Sequence, residues 1–411
     1  MYQKGKCDDM RFIDLFCGVG GFHQGIRKVV PDAKCIFACD NDYNVAKIYT
    51  SNYDIESFYD IKNESTHELI NQRVIENQSV DLLVAGFPCQ SFSKAGKQLG
   101  FDDETKGTLF FEVEKIIKRH KPKYVLLENV RNLKSHDGGA TWAKILSHLK
   151  VLYEVDSVII GPNDISNIPA LRDRVFIICY RKDIVNSDFS YLSSGKHKRK
   201  QTSIYRDGIL DPNYFDKGES NLEPDKIKII EMWESLRLKL MNSNVKIISP
   251  VWTKYFEENL DLTKVPEWKK KIIVRNQEFY LENRELIDNW IEENFEFFSK
   301  QNDSNKKFEW NAGDAIHSIW EGIIQFRPSG VRVKKPDFLP TFVAINQTPI
   351  LGVEKRYIRP IEMARLYGFD EIDFLNQPIN ETYKQLGNTV SVDVVEHLIR
   401  IMLRNGGDIN E

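Results

Sequence analysis

Five residues, Asp81-Leu82-Leu83-Val84-Ala85, followed at once by Gly86-Phe87-Pro88-Cys89-Gln90, do most to limit what this chain can become. The apolar run is too short for a helix and is closed by Gly and Pro, so it reads as a buried strand. Pro88 fixes its own φ and biases Phe87 toward extended geometry, which holds Cys89 at the strand's carboxyl end. In an open α/β sheet that edge is where ligands bind. A thiol there can serve as a nucleophile; taken alone, a cysteine after a strand is more often inert packing.

The same grammar repeats through the first 185 residues. Arg11–Phe16 predicts a strand that runs into the turn Cys17-Gly18-Val19-Gly20-Gly21 and a helix from about Phe22 to Val30. Strand, glycine turn and helix is how backbone approaches a nucleotide-like cofactor. His23 stands where a dinucleotide fingerprint has its third glycine, and a plain tight turn fits equally well. Asp40 ends the next strand, Lys34–Cys39, and Asp60 follows Ser57-Phe58-Tyr59 at another strand end. Singly each acid fits a helix cap or a solvated turn; in series they describe an adenosine pocket. Lys123–Leu127 is a further strand, delivering Glu128-Asn129-Val130 to the same edge as Cys89. Apolar neighbours predict a desolvated Glu128 carboxyl with a raised pKa, which suits a proton donor. Helices over Leu109–His120 and Thr141–Leu149 and strands over Glu154–Ile160 and Val175–Tyr180 complete the pattern. Arg172 and Arg174, at i and i+2 on an extended segment, point the same way and can grip a phosphate or base edge, or simply pair with Asp173. Gln90–Gly107 is long and glycine-rich for a connection, a length typical of lids or disordered loops. Its Lys94 and Lys97 can touch phosphates or be solvated.

Length and composition set bounds on the whole. At 411 residues the chain has room for two domains or one with a large insertion. Hydrophobic residues at 41% and charged residues at 28% exclude wholesale disorder. A net charge of −3 neither requires nor excludes nucleic acid, because phosphate contacts need only a local basic surface. The six cysteines form no CxxC pair, which argues against a zinc site, and nothing reads as a signal peptide or bilayer span. A reducing, cytoplasmic setting is expected.

Together these stretches resemble the DNA cytosine-5 methyltransferases of bacterial restriction-modification systems, through Met10–Arg181 and again through Tyr357–Leu403. The resemblance implies an α/β fold, with a Rossmann-like S-adenosylmethionine-dependent methyltransferase sheet and an inserted, smaller target-recognition domain. The expected parts are 1–185 (catalytic), 186–344 (recognition) and 345–411 (catalytic, returning). Phe16-Cys17-Gly18-Val19-Gly20-Gly21 looks like the family's cofactor turn, with Asp40, Asn41, Asp60 and Ile61 in the ribose and adenine pocket and Pro88 beside it. Lys384-Gln385-Leu386-Gly387-Asn388-Thr389-Val390 resembles the closing motif, which brings Asn388, Thr389 and Val390 back to the cofactor. The implied catalytic residues are Cys89, Glu128, Arg172 and Arg174. Cys89 would add to cytosine C6, Glu128 would engage N3 and the exocyclic amine, and the arginines would hold the O2 side and a nearby phosphate. Two positions depart from the pattern. Asn41 replaces an aromatic residue that stacks on adenine, so another side chain must cover that face. Ala170 replaces a Gln two residues before the first Arg.

The resemblance also implies partners: double-stranded DNA with the target base flipped out, S-adenosyl-L-methionine leaving as S-adenosyl-L-homocysteine, no metal, and a monomer with no membrane contact. A separate cognate restriction endonuclease would be protected against. Candidate DNA contacts are Gln90, Ser91, Ser93, Lys94 and Lys97 in the lid, and Gln325, Arg327, Ser329 and Arg332 in the middle region. There Ile323–Lys335 interleaves β-branched and polar residues, as a base-reading ribbon or a basic surface hairpin would. It looks similar to part of the recognition domain of enzymes reading sites flanked by GG and CC. Lys196–Lys200 is a basic run, Lys226–Phe298 has helical periodicity, and Gln301–Lys307 reads as a linker. Competing readings are a non-catalytic DNA-binding protein of the same fold, against which Cys89 and Glu128 argue, and an RNA cytosine-5 methyltransferase, against which the long middle region argues.

Overall fold

The computed structural model describes residues 9–88, 108–166, 168–183, 203–205, 210, 218, 220–256, 261–340 and 347–409. Contacts divide the chain into two compact units, Met1–Thr202 with Met363–Glu411, and Ser203–Glu362. Cys89, the Gln90–Gly107 loop and the Lys196–Lys200 run lie outside the described residues.

The first unit opens with β1 (Arg11–Leu15), α1 (Gly21–Val29), β2 (Lys34–Cys39), α2 (Tyr43–Tyr53), α3 (Glu64–Glu76) and β3 (Leu82–Ala85). It continues with α4 (Thr108–His120), β4 (Tyr124–Val130), α5 (Ala140–Leu149), β5 (Tyr153–Ile160), α6 (Pro162–Ile165) and β6 (Arg174–Arg181). The six strands form one sheet in the order β2-β1-β3-β4-β6-β5. β2, β1, β3 and β4 run parallel, and β6 is antiparallel to both of its neighbours. The central strands read as unbroken apolar runs because both faces are covered. Ile13, Leu83, Val125 and Leu127 face Ile70, Val113, Ile117 and Ile145 of the helices on one side. Phe12, Leu82, Val84 and Leu126 face α1 on the other.

The second unit holds α7 (Pro224–Asn242), β7 (Val251–Trp252), α8 (Glu267–Glu282), α9 (Arg284–Ser299), β8 (Lys307–Asn311), β9 (Ile323–Arg327), β10 (Gly330–Lys334), β11 (Ile350–Leu351) and β12 (Arg356–Tyr357). Its sheet has the order β12-β11-β9-β10-β8-β7. Trp233 stacks on Phe308 with ring centroids 5.0 Å apart and meets Trp290 at 5.4 Å, at the heart of this unit's own core. The helical stretch expected over Lys226–Phe298 is three helices interrupted by β7. The expected boundaries at 185/186 and 344/345 precede those of the compact units. At the second, β11 and β12 still pair with the second unit's sheet, so that unit runs to Glu362.

Across that boundary runs α10 (Pro360–Leu366), and α11 (Ile379–Asn388) and α12 (Val392–Asn405) return to the first unit. Val394, Val395, Leu398 and Met402 of α12 pack with Phe22 and Ile26 of α1. Their crossing is close because Gly25 has no side chain: a Cβ there would lie 2.5 Å from Val395 Cγ1 and 2.9 Å from the Val392 carbonyl oxygen. Gly25→Ala therefore sets about 1 kcal/mol of helix propensity against an overpacking cost of about 1–3 kcal/mol. Because one neighbour is backbone, the cost should win. Chemical denaturation is expected to show a net loss of stability; an unchanged or raised midpoint would mean that the two helices separate more readily than this packing implies.

Candidate active site

The hydrogen-bond ladder aligns the strand ends. Leu15 is in register with Cys39 on one side and Ala85 on the other, and Ala85 with Leu127. The residues that follow, Asp40, Phe16 and Gly86, therefore leave their strands along one carboxyl edge, level with Glu128, whose strand continues to Val130 paired with β6, and Cys89 comes three residues after Gly86 in sequence. Four separate sequence motifs thus meet at one line.

On the α1 side of this edge the backbone turns sharply. Phe16, Gly18 and Gly20 have φ of 56°, 55° and 91°, and only glycine adopts such values without strain. At Gly18 an added Cβ would meet nothing within 4 Å, so the turn presents open backbone there. The Gly18 N–H donates to Asp40 Oδ2 at 3.2 Å, and the Asp42 N–H donates to Asp40 Oδ1 at 3.0 Å. Burial raises the Asp40 carboxyl above the usual range, and these two N–H groups oppose the rise. Behind the turn, buried His23 stacks on Tyr53 at 4.1 Å, and the Tyr53 hydroxyl donates to the Val19 carbonyl at 3.2 Å. An aromatic pillar thus stands where a dinucleotide fingerprint would place its third glycine. Burial, then Arg27, lowers His23 to about 3, so the imidazole is neutral.

The closing motif does come back to this turn. A Cβ on Gly21 would lie 2.6 Å from the Val390 carbonyl oxygen, 2.7 Å from Val390 Cγ1 and 2.9 Å from Thr389 Oγ1. Thr389 and Val390 are buried, whereas Asn388 is exposed. Farther out, Asp60 Oδ1 accepts from the Lys62 N–H at 3.0 Å, Ile61 is buried, and Asn41 is exposed. Phe58 bridges Asp40 in the only strand-like pairing described for 57–59.

On the other side of the edge stands Glu128. A Cβ placed on Gly86 would lie 3.7 Å from Glu128 Oε2, so the acid borders the loop that leads to Cys89. Glu128 Oε1 pairs with Arg174 Nε at 3.1 Å, both side chains being largely buried. Burial pushes the Glu128 carboxyl up; Arg174 and then Arg172 pull it back. Burial, then the charge of Arg172, lowers Arg174 to about 10, still fully charged at neutral pH. A contact that sequence reading missed is Asn129, whose Nδ2 donates to the Phe87 carbonyl at 2.9 Å and ties this strand to the cysteine loop. Its signal was only a polar residue next to the acid.

The two arginines diverge. Arg172 is buried, donates from Nη1 to the Gly387 carbonyl at 3.0 Å and from Nη2 to the Thr389 carbonyl at 2.5 Å, and lies 5.0 Å over the Tyr367 ring. The cysteines differ too. Cys17, Cys39 and Cys179 are buried, and burial raises all three thiols, Cys39 to about 12, so they are inert as nucleophiles.

Within the second unit, β9 and β10 form the expected ribbon, turning at Pro328-Ser329, with Gln325 opposite Arg332. One face carries Ile324, Val331 and Val333 into the core; the other carries Gln325, Arg327 and Arg332. Gln325 Nε2 donates to the Gln347 carbonyl at 3.1 Å, and Arg332 Nε pairs with Glu309 at 2.6 Å. Ser329 is exposed at the tip. Of the lid candidates Gln90, Ser91, Ser93, Lys94 and Lys97, none is among the described residues.

A family model described as C-5 cytosine-specific DNA methylase matches residues 10–404. Among curated proteins, the chain is 28% identical over 485 residues to the Type II methyltransferase M.AluI of Cellulosimicrobium cellulans, covering 96% of this chain and 92% of that one. It is 41% identical over 182 residues to M.HpaII of Haemophilus parainfluenzae, covering 44% and 48%. The fold is similar to that of the Entamoeba histolytica methyltransferase EhMeth (TM-score 0.55, 17% identity, 98% and 99% coverage). It is also similar to the Dnmt2 methyltransferase of S. pombe (TM-score 0.54, 16% identity, 96% and 98% coverage).

Because Arg174 exerts the largest downward pull on Glu128, Arg174→Met should raise that carboxyl further, so that it stays protonated to higher pH. Carbon-13 titration of labelled glutamate compares the two proteins. An unshifted or lowered Glu128 in the variant would show that the pair is not coupled.

Proposed function

Since the chain belongs to the C-5 cytosine-specific DNA methylase family, we propose that Cys89 and Glu128 are the reacting pair with which it methylates C5 of a cytosine in double-stranded DNA. The observation that carries this reading is the placement of a buried, charge-paired Glu128 beside the loop that leads to Cys89. Cytosine C5 is a poor nucleophile until the ring is saturated at C6. The Cys89 thiolate adds to C6, and electron density moves toward N3, where Glu128 supplies a proton or hydrogen bond. Arg174 holds Glu128 in place and offers its remaining donors to the ring's O2 side. C5, now electron-rich, gains the methyl group; loss of the C5 proton and departure of the Cys89 sulfur restore the aromatic ring. A stacked base is out of reach of this machinery, so the cytosine is flipped out, at a cost of a few kcal/mol.

The residues along the α1 side fit S-adenosyl-L-methionine. Open backbone at Gly18, the Asp40 carboxylate with lone pairs to spare, Asp60 and Ile61 match an adenosine, and Phe16, Pro88, Thr389 and Val390 border it. When bound, that group supplies an electrophilic methyl and leaves as S-adenosyl-L-homocysteine. The exposed Asn41 contributes no ring, so the apolar cover of the adenine falls to Phe16 and Ile61. In the second unit, Arg327, Ser329 and Arg332 of the β9–β10 ribbon form the proposed base-reading surface, while Gln325, buried and bonded to the Gln347 carbonyl, is placed to hold the ribbon instead of reading a base. The Type II names of the relatives support a role opposite a restriction endonuclease acting separately on the same site.

Incubation of unmethylated DNA with protein and methyl donor, followed by sequencing for 5-methylcytosine, is expected to reveal one short motif. Cys89→Ser should abolish the signal while retaining DNA binding. Methylation by that variant at the wild-type rate would remove the cysteine from the mechanism.

A further inference from the structure

Two residues apart on the segment entering β6, Arg172 and Arg174 have different partners: Arg172 the Gly387 and Thr389 carbonyls, Arg174 the Glu128 carboxylate. We infer that Arg172 is a positioning residue for the cofactor, bracing the Gly387–Val390 segment against the glycine turn, and not a grip on the base or its phosphate. The inference rests on the reading of that turn as the S-adenosyl-L-methionine site.

The argument starts from helix ends. α11 stops at Asn388, so its last carbonyls have no partner within the helix. Arg172 supplies one: its two terminal nitrogens reach the Gly387 and Thr389 carbonyls, on either side of Asn388. A cation at a helix carboxyl terminus is also favoured by the helix dipole. The planar fork matches two carbonyls at once, and the Tyr367 ring beneath holds its plane. Thr389 and Val390 then press on Gly21, at distances that leave no room for a methyl group. Moving the Thr389 carbonyl thus moves Thr389 Oγ1 and Val390 away from the start of α1. Each terminal nitrogen gives a bond to backbone, and the side chain, Nε included, is buried, which keeps the guanidinium from the surface a duplex would touch. Arg174, by contrast, gives Nε to Glu128, the acid beside the loop that begins at Gly86, and Nη1 to the neighbouring Asp173 carbonyl.

The test measures two ligands separately on full-length wild type, Arg172→Gln and Arg172→Lys. S-adenosyl-L-homocysteine binding is followed by calorimetry without DNA, duplex DNA binding by fluorescence anisotropy without cofactor, and folding by thermal melting. Arg172→Gln should weaken S-adenosyl-L-homocysteine by about 10–100-fold, the weight of one or two charge-assisted hydrogen bonds. DNA affinity should stay essentially at the wild-type value. Arg172→Lys, able to reach one carbonyl, should recover part of the loss. In turnover the KM for the methyl donor should rise while kcat at saturating donor holds. If Arg172→Gln does not fold, Tyr367→Leu, which removes the ring beneath the guanidinium, should show the same selective loss at smaller size. Unchanged S-adenosyl-L-homocysteine affinity with weakened DNA binding, or equal loss of both ligands, would overturn the brace. A wild-type protein that fails to bind S-adenosyl-L-homocysteine would overturn the cofactor reading and the brace with it.

Discussion

A parallel ladder of backbone hydrogen bonds holds Cys39, Leu15, Ala85 and Leu127 level with one another, and the chemistry of the protein hangs from that row. One residue beyond that row stand Asp40 after β2, the start of the glycine turn after β1, the loop that begins at Gly86 after β3, and Glu128 within β4. A slip of one residue in any pairing would turn the strand's side chains to the opposite face and carry its motif off the line. The apolar residues that fill both faces make such a slip costly, so the core that stabilises the sheet also sets the geometry of the site.

The electrostatics of the edge divide the same way. Glu128 is desolvated enough to hold a proton more readily than an exposed glutamate, and Arg174 keeps it from becoming a permanently neutral group. That balance suits an acid that must both give and regain a proton in one cycle. Asp40, at the other end of the row, is also buried, yet its oxygens are met by backbone N–H groups that a nucleoside hydroxyl can join. Among the described cysteines, Cys17, Cys39 and Cys179 are buried and their thiols are raised by that burial, and the loop that begins at Gly86 borders the acid.

Much of this was legible in the chain itself. The central strands of the first unit announced themselves as apolar runs, because strands covered on both faces carry no polar alternation, whereas the edge strand β5 mixes polar and apolar residues and is half-exposed. The meeting of Gly21 with Thr389 and Val390 came from the likeness of the closing motif to a known family; periodicity carries no trace of a contact between opposite ends of a sequence. β6 begins at Arg174, so Arg172 precedes the strand, and the two arginines, expected to point the same way, take different partners. Their division of labour was invisible, since it depends on two backbone carbonyls at the end of a distant helix. In the second unit β7, β11 and β12 are two residues each, too short to leave a pattern, and β7 hid inside a helical periodicity. Cys89 and the lid residues lie outside the described structure, so their part in the site stands on sequence and on the position of Gly86 and Pro88.

The central claim is that a sulfur on this loop bonds to the pyrimidine while Glu128 makes the ring attackable. A duplex carrying 5-fluorocytosine at the target blocks the last step, because fluorine cannot leave C5 as a proton does. Incubated with protein and methyl donor, it should yield a denaturation-resistant complex, and peptide mass spectrometry should find the modified base on Cys89. Absence of that complex at a target that is methylated when it carries cytosine, or its attachment to any other residue, would contradict the account.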